Sequence, residues 1–137
     1  MGGIANVFDV RENPDLGKFD HLIIGSAIRS SKITPELQAY LEKNRASIGA
    51  KVRGVYTVCG NMQKPVTPEL TKQQITDYLA PMCGAKDASA HVFLGRVTPR
   101  LFSPDIREQM KSAGEYDNLK RPDCMAFGAE ILSRVQK

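Results

Sequence analysis

A three-layer α/β domain built on a parallel sheet is the fold class this sequence predicts. Three observations predict it. Short apolar strand-like segments alternate with helix-sized segments along the whole chain. Two of those segments, His21–Ser26 (HLIIGS) and Ala90–Gly95 (AHVFLG), are nearly continuous apolar runs, the pattern of strands covered on both faces. The tetrapeptide Thr-Pro-Glu-Leu occurs at Thr34–Leu37 and again at Thr67–Leu70, with a conservative variant, Ser-Pro-Asp-Ile, at Ser103–Ile106.

Four strands are expected in order: Ala5–Val10, His21–Ser26, Val52–Val58 and Ala90–Gly95. Each tetrapeptide reads as a helix start. Its hydroxyl residue can cap free backbone N–H groups, Pro sits where its missing N–H costs nothing, and the carboxylate complements the helix dipole. Each lies eight or nine residues after a strand ends, so strand, basic loop and capped helix repeat three times. Behind Thr34, Leu37, Tyr40 and Leu41 form one stripe, with Asn44 as the expected end. Behind Thr67, Ile75, Tyr78, Leu79 and Met82 follow helical spacing, with Gly84 as the C-cap. Behind Ser103 a short helix should stop at Gly114. A last helix should start near Pro122, with Cys124, Phe127, Ile131 and Val135 on one face. Gly128 on that helix costs about 1 kcal/mol against Ala unless close packing needs it. Residues 11–20 leave no room for a helix between the first two strands, so these should pair loosely antiparallel or cross in a tight loop.

The 137 residues suit one domain spanning the chain, 1–137. With 42% apolar and 25% charged residues, collagenous and disordered classes are excluded. No apolar run is long enough to span a membrane, and Met1–Val10 has no leader-like pattern, so the expected setting is the cytoplasm. Cys59, Cys83 and Cys124 form no CxxC pair, which fits free thiols in a reduced compartment and no metal site. The net charge of +4 does not by itself imply nucleic acid, and aromatic residues do not interleave with the basic loops.

Ligands of open α/β sheets bind beyond the carboxyl ends of the strands. Those ends feed three loops, Ser26–Ile33, Cys59–Val66 and Gly95–Phe102. Their 24 positions hold Arg29, Lys32, Lys64, Arg96 and Arg100 and no Asp or Glu, which predicts a positive rim for an anionic ligand. Ser26, Ser30, Ser31, Thr57, Asn61 and Thr98 offer hydrogen bonds there, and Gly60 permits close backbone approach. His21 and His91 begin strands at the opposite edge, so neither can activate Cys59 or Ser26 as a nucleophile, and hydrolase chemistry is remote. No GxGxxG follows a strand, and no GxxxxGK[ST] is present. Carboxylates in the first turns of the expected helices repel phosphate rather than hold it.

The runs FDHLIIGSAIR (Phe19–Arg29), VRGVYTVCGN (Val52–Asn61) and HVFLGRVTPR (His91–Arg100), in this order, resemble the flavodoxin-like domain. In look they are nearest its subgroup typified by menaquinone-dependent protoporphyrinogen oxidase. The resemblance implies a flavodoxin-like parallel sheet of order 2-1-3-4-5, truncated at the N-terminus. The four expected strands would be two to five, with the central first strand, its phosphate-binding loop and its helix absent. The gap would then be closed by the first two strands pairing directly or by a second chain. The resemblance also implies FMN as cofactor, with Ser26, Ala27, Ile28, Arg29 and Ser30 on one side of the ring and Thr57, Val58, Cys59, Gly60 and Asn61 on the other. Lys64, Arg96 and Arg100 would form a rim for a substrate, an acidic small molecule or a redox partner protein. The implied activity is flavin-dependent electron transfer or oxidoreduction, weakened by the missing phosphate loop. The alternatives are a cofactor-free scaffold acting as an oligomeric or partner-binding module, or one part of a split redox protein.

Overall fold

Three of the four expected strands form in the computed structural model, which describes residues 6–28, 32–59, 66–94, 96–97, 104, 116–117 and 121–135. They are β1 (Leu22–Ile28), β2 (Val52–Cys59) and β3 (Ser89–Leu94), hydrogen-bonded in the order β1-β2-β3 with both pairings parallel. The pairing is regular except at Leu22/Ile23, where Arg53 is the extra residue opposite β1. A two-residue antiparallel pair, β4 (Arg96–Val97) with β5 (Tyr116–Asp117), replaces part of the loop expected after β3.

The first expected strand does not form. Residues 6–9 carry no regular secondary structure, and Val10–Glu12 is a single 3-10 turn. Asp9 starts that turn through a reciprocal capping box. Its carboxylate accepts from the Arg11 backbone N–H at 2.9 Å, and its own N–H donates to Glu12 Oε1 at 3.2 Å. The Arg11 guanidinium bonds the same carboxylate and holds it down at about 2. The Asp9-x-x-Glu12 spacing is the sequence signal for this turn. Neither the loose antiparallel pair nor a tight crossing loop joins this segment to β1. Instead, residues 13–19 lie along the first helix, where Tyr40 Oη donates to the Pro14 carbonyl at 2.7 Å and Lys51 Nζ to that of Gly17 at 2.8 Å.

Helix α1 runs Pro35–Ile48 and continues into a 3-10 turn at Gly49–Lys51. It passes Asn44, whose side-chain amide donates back to the Tyr40 carbonyl at 2.9 Å. Helix α2 comprises Pro68–Thr71, an i→i+5 π-helical stretch Lys72–Leu79, and Ala80–Cys83. Pro81 has no N–H, and its ring crowds the preceding turn, so the wide turns before it let the helix pass. Gly84, at φ 74°, ends α2 as expected, with Gly84 N–H donating to Pro81 O at 3.1 Å and Ala85 N–H to Ala80 O at 3.0 Å. Helix α3 runs Arg121–Val135. The helix expected behind Ser103 lies outside the described residues.

The main core fills the sheet face under α1 and α2. Leu22, Ile24, Val55 and Val92 of the sheet meet Leu37, Leu41, Ile75, Leu79 and Cys83 of the helices. Each fully buried branched side chain stabilises by roughly 1.5–3 kcal/mol relative to exposure. On the other face α3 covers only β2 and β3. Tyr56, Phe93 and Phe127 meet edge-on at 5.7–6.1 Å, and Ile131 packs over Gly54. Ser89 Oγ donates to Glu130 Oε1 at 3.0 Å and Arg134 donates to the Asp87 carbonyl at 3.1 Å, which fix the tilt of α3. Two expectations change here. Cys124 is exposed, because all of residues 121–126 lie at the surface, while Phe127 and Ile131 are buried. β1 is only partly covered on its second face, where the Tyr56 ring lies over Gly25 while Ala27 is exposed and Ile23 is 47% exposed.

Candidate functional site at the carboxyl edge of the sheet

Parallel pairing brings the carboxyl ends of the three strands level. Ile28, Cys59 and Leu94 are register neighbours, and Ser26, Thr57 and Val92 form the row two residues earlier on the same face. The chain therefore leaves all three strands at one edge, as the loop argument requires. Alternation splits the candidate residues between faces. Ser26, Ile28, Thr57 and Cys59 belong to the α1–α2 face, whereas Ala27 and Val58 belong to the other. Arg29, Ser30, Gly60, Asn61, Lys64 and Arg100, and the side chain of Arg96, lie outside the described residues. Of the basic residues in the three loops, Lys32 is described, and it is exposed.

The two buried hydroxyls of this edge have protein partners. Ser26 Oγ donates to the Ala27 carbonyl at 2.8 Å and accepts from the Thr34 N–H at 3.3 Å, tying the start of α1 to the end of β1. Thr57, wholly buried, donates from Oγ1 to Gln74 Oε1 at 2.7 Å. Tyr78 Oη accepts from the Ile33 N–H at 3.1 Å, so the chain returning to α1 is held by α2 as well. Gln74 and Tyr78 thus position the edge, a role the sequence reading missed. Their spacing of four on a helix is the available signal, but Tyr78 reads only as part of the apolar stripe.

Among the described residues, no buried side-chain nitrogen or oxygen lacks a partner, and no group of three or more metal-ligating side chains comes together. His21 is exposed just before β1. His91 lies against Phe93 at 4.4 Å, and neither reaches the carboxyl edge. A groove of about 210 Å³ lined by Val55, Ile75, Pro81, Ala85 and Ala88 opens where the chain enters β3, at the opposite end of that strand.

At this end of the sheet Ala27 is exposed and Val58 is half-buried on one face, and Ile28 is half-buried on the other. The two described helix starts that face outward from the loops, Pro35 and Pro68, carry Glu36 and Glu69 in their first turns, which oppose a phosphate.

No helix among the described residues is long and apolar enough to cross a membrane. A family model described as Flavodoxin domain matches residues 2–116. Comparison with curated proteins and with solved structures finds no match. The family match spans most of the chain and agrees with the three parallel strands and their flanking helices. The chain belongs to the flavodoxin domain family.

Proposed function

We propose that this chain is a flavodoxin-like electron-transfer protein or oxidoreductase that takes FMN at the carboxyl edge of β1 and β2, with phosphate recognition weak. The observation that supports this reading most is the level register of Ile28, Cys59 and Leu94 within a member of the flavodoxin domain family. Flavodoxin domains commonly bind FMN.

Ala27, Ile28, Val58 and Cys59, with the adjoining Arg29, Ser30, Gly60 and Asn61, would hold the ring. Ser26 and Thr57 would act one step back, by fixing where the loops leave the sheet. Bound flavin supplies the electron chemistry, and the protein's part is to orient it and limit solvent access. Arg29, Lys64, Arg96 and Arg100 would draw an acidic partner protein or a carboxylate-bearing substrate, such as the porphyrin of the protoporphyrinogen oxidase subgroup. The three free thiols suit a reducing compartment, and the cytoplasm is the setting assigned.

Titration with FMN and with riboflavin, followed by quenching of flavin fluorescence, tests the reading. Both should bind, with FMN preferred by less than about tenfold, a difference of ~1.4 kcal/mol. Each charge-assisted bond to a phosphate would add about 1.5–3 kcal/mol if a cradle existed. Binding of neither flavin overturns the proposal. The second reading is then a cofactor-free, partner-binding scaffold or one part of a split redox protein, favoured by the internal pairing of both buried hydroxyls at the edge.

A further inference from the structure

We propose that the π-helical stretch of α2 sets the width of the ligand slot between the ends of β1 and β2, with Gln74 and Tyr78 as positioning residues and Pro81 as the remote residue that imposes the stretch. The proposal rests on the flavin reading above and adds control of that site from a distance. Three observations carry it.

First, the stretch Lys72–Leu79 is tied to both strands that would flank the ring. Gln74 Oε1 accepts from Thr57 Oγ1 on β2 at 2.7 Å, and Tyr78 Oη accepts from the N–H of Ile33, which follows β1, at 3.1 Å. Thr57 and Ile33 are 0% and 4% exposed, so neither donor has water to turn to when its acceptor moves. The stretch therefore braces β2 against the chain that returns from β1, and a change in its turns moves one against the other. Second, the wide turns are held from both sides. Ile75 and Leu79, each next to a tie residue, are buried in the main core. On the outer surface Lys72 pairs with Asp77, five residues on. α-Helical turns bring together residues three or four apart, so a pair at five fits the π-helical spacing. Third, the cause of the stretch lies away from the slot. The Ala80 N–H bonds the Ile75 carbonyl, five residues back, and Pro81 has no N–H to offer the Asp77 carbonyl four back. Pro81 is exposed and lines the groove where the chain enters β3, at the opposite end of that strand from the carboxyl edge. π and α turns are two discrete arrangements of one element, and Pro81 biases the choice between them.

Titration of the full chain and of its Tyr78→Phe and Pro81→Ala variants with riboflavin and with FMN, alongside thermal unfolding, tests the proposal. Tyr78→Phe removes one oxygen and leaves the Ile33 N–H without its acceptor. Pro81→Ala restores the missing N–H, so Lys72–Leu79 can wind as ordinary α-helix. Each variant should weaken riboflavin and FMN equally, by roughly fivefold or more, because the ring slot and not the phosphate is altered. The unfolding midpoint of Pro81→Ala should hold or rise, since a proline inside a helix ordinarily destabilises it. Affinity lost without stability is a result that a merely structural proline would not give. Unchanged affinity in either variant overturns the proposal and leaves the flavin reading standing. A Pro81→Ala chain that is destabilised or does not fold overturns the role given to Pro81, and Tyr78→Phe then decides the tie alone. If the unaltered chain binds neither flavin, the flavin reading falls and hydrogen exchange decides the brace. The Ile33 amide and the last amides of β1 and β2 should then exchange faster in both variants, and equal rates overturn it.

Discussion

Cys83 lies at the end of α2 with no exposed surface, and burial pushes its thiol up to about 12. The folded protein therefore keeps a proton that the unfolded chain loses near pH 9. The sign follows: the stabilisation is complete below pH 9 and is lost as pH rises toward 12. Cys59 is also buried, whereas Cys124 is exposed on α3. One thiol per chain should react quickly with a maleimide at neutral pH. Mass spectrometry of the labelled peptide should place it at Cys124, with Cys59 and Cys83 labelled only on unfolding. Two glycines should respond in opposite directions. A Cβ on Gly49 would sit 2.8 Å from the Gly84 carbonyl oxygen, at the contact between the ends of α1 and α2. Backbone cannot give way as a side-chain tip does, so Gly49→Ala should cost about 1–3 kcal/mol. A Cβ on Gly128 meets nothing within 4 Å, and Gly128→Ala should stabilise by about 1 kcal/mol. Thermal unfolding of both variants, compared with the unaltered protein, measures the contrast. The sequence left the packing of Gly128 open, because glycine has no side chain to mark whether a neighbour approaches its Cα.

At the scale of elements, the two identical tetrapeptides show how far a local signal reaches. Both start helices at Pro35 and Pro68, as their chemistry requires. Only Thr67 caps with its side chain, accepting from the Leu70 N–H at 3.2 Å. Thr34 makes no side-chain cap, and its backbone N–H donates to Ser26 instead. Thr67→Ala should therefore cost about 1 kcal/mol, and Thr34→Ala no more than a few tenths, as denaturant titration would resolve. The stops were less legible than the starts. Gly84 ends α2 because positive φ is cheap for glycine, and that is readable in the sequence. Asn44 fails to end α1 because its amide finds an acceptor within the helix. The π-helical run before Pro81 depends on how a whole turn relaxes around one missing N–H, which spacing does not show.

At the scale of the molecule, β2 is bonded on both sides, while among the described residues β1 and β3 each have one strand neighbour. Amides should exchange slowest in β2, faster in β1 and β3, and fastest at residues 6–9, where Val7 is 93% exposed. Native-state hydrogen exchange checks this order. The candidate site was legible in outline for the same topological reason. Strands at His21, Val52 and Ala90 that run parallel must end together, so loops at Ser26 and Cys59 had to share an edge. The hold of Gln74 on Thr57 and of Tyr78 on Ile33 was not legible, since those partners lie 17 and 45 residues apart.

The sequence by itself determined the α/β class, three of its four expected strands, the helix starts at Pro35 and Pro68 and the edge at which those strands end. These rest on local periodicity and cap chemistry, which act within a few residues. Only the tertiary structure decided that residues 6–9 are no strand, that Ile23 and Ala27 of β1 stay exposed, and that the hydroxyls of Ser26 and Thr57 are turned inward. A strand exists only where a neighbour satisfies its backbone, and whether a polar group faces a ligand or the protein depends on partners distant in sequence.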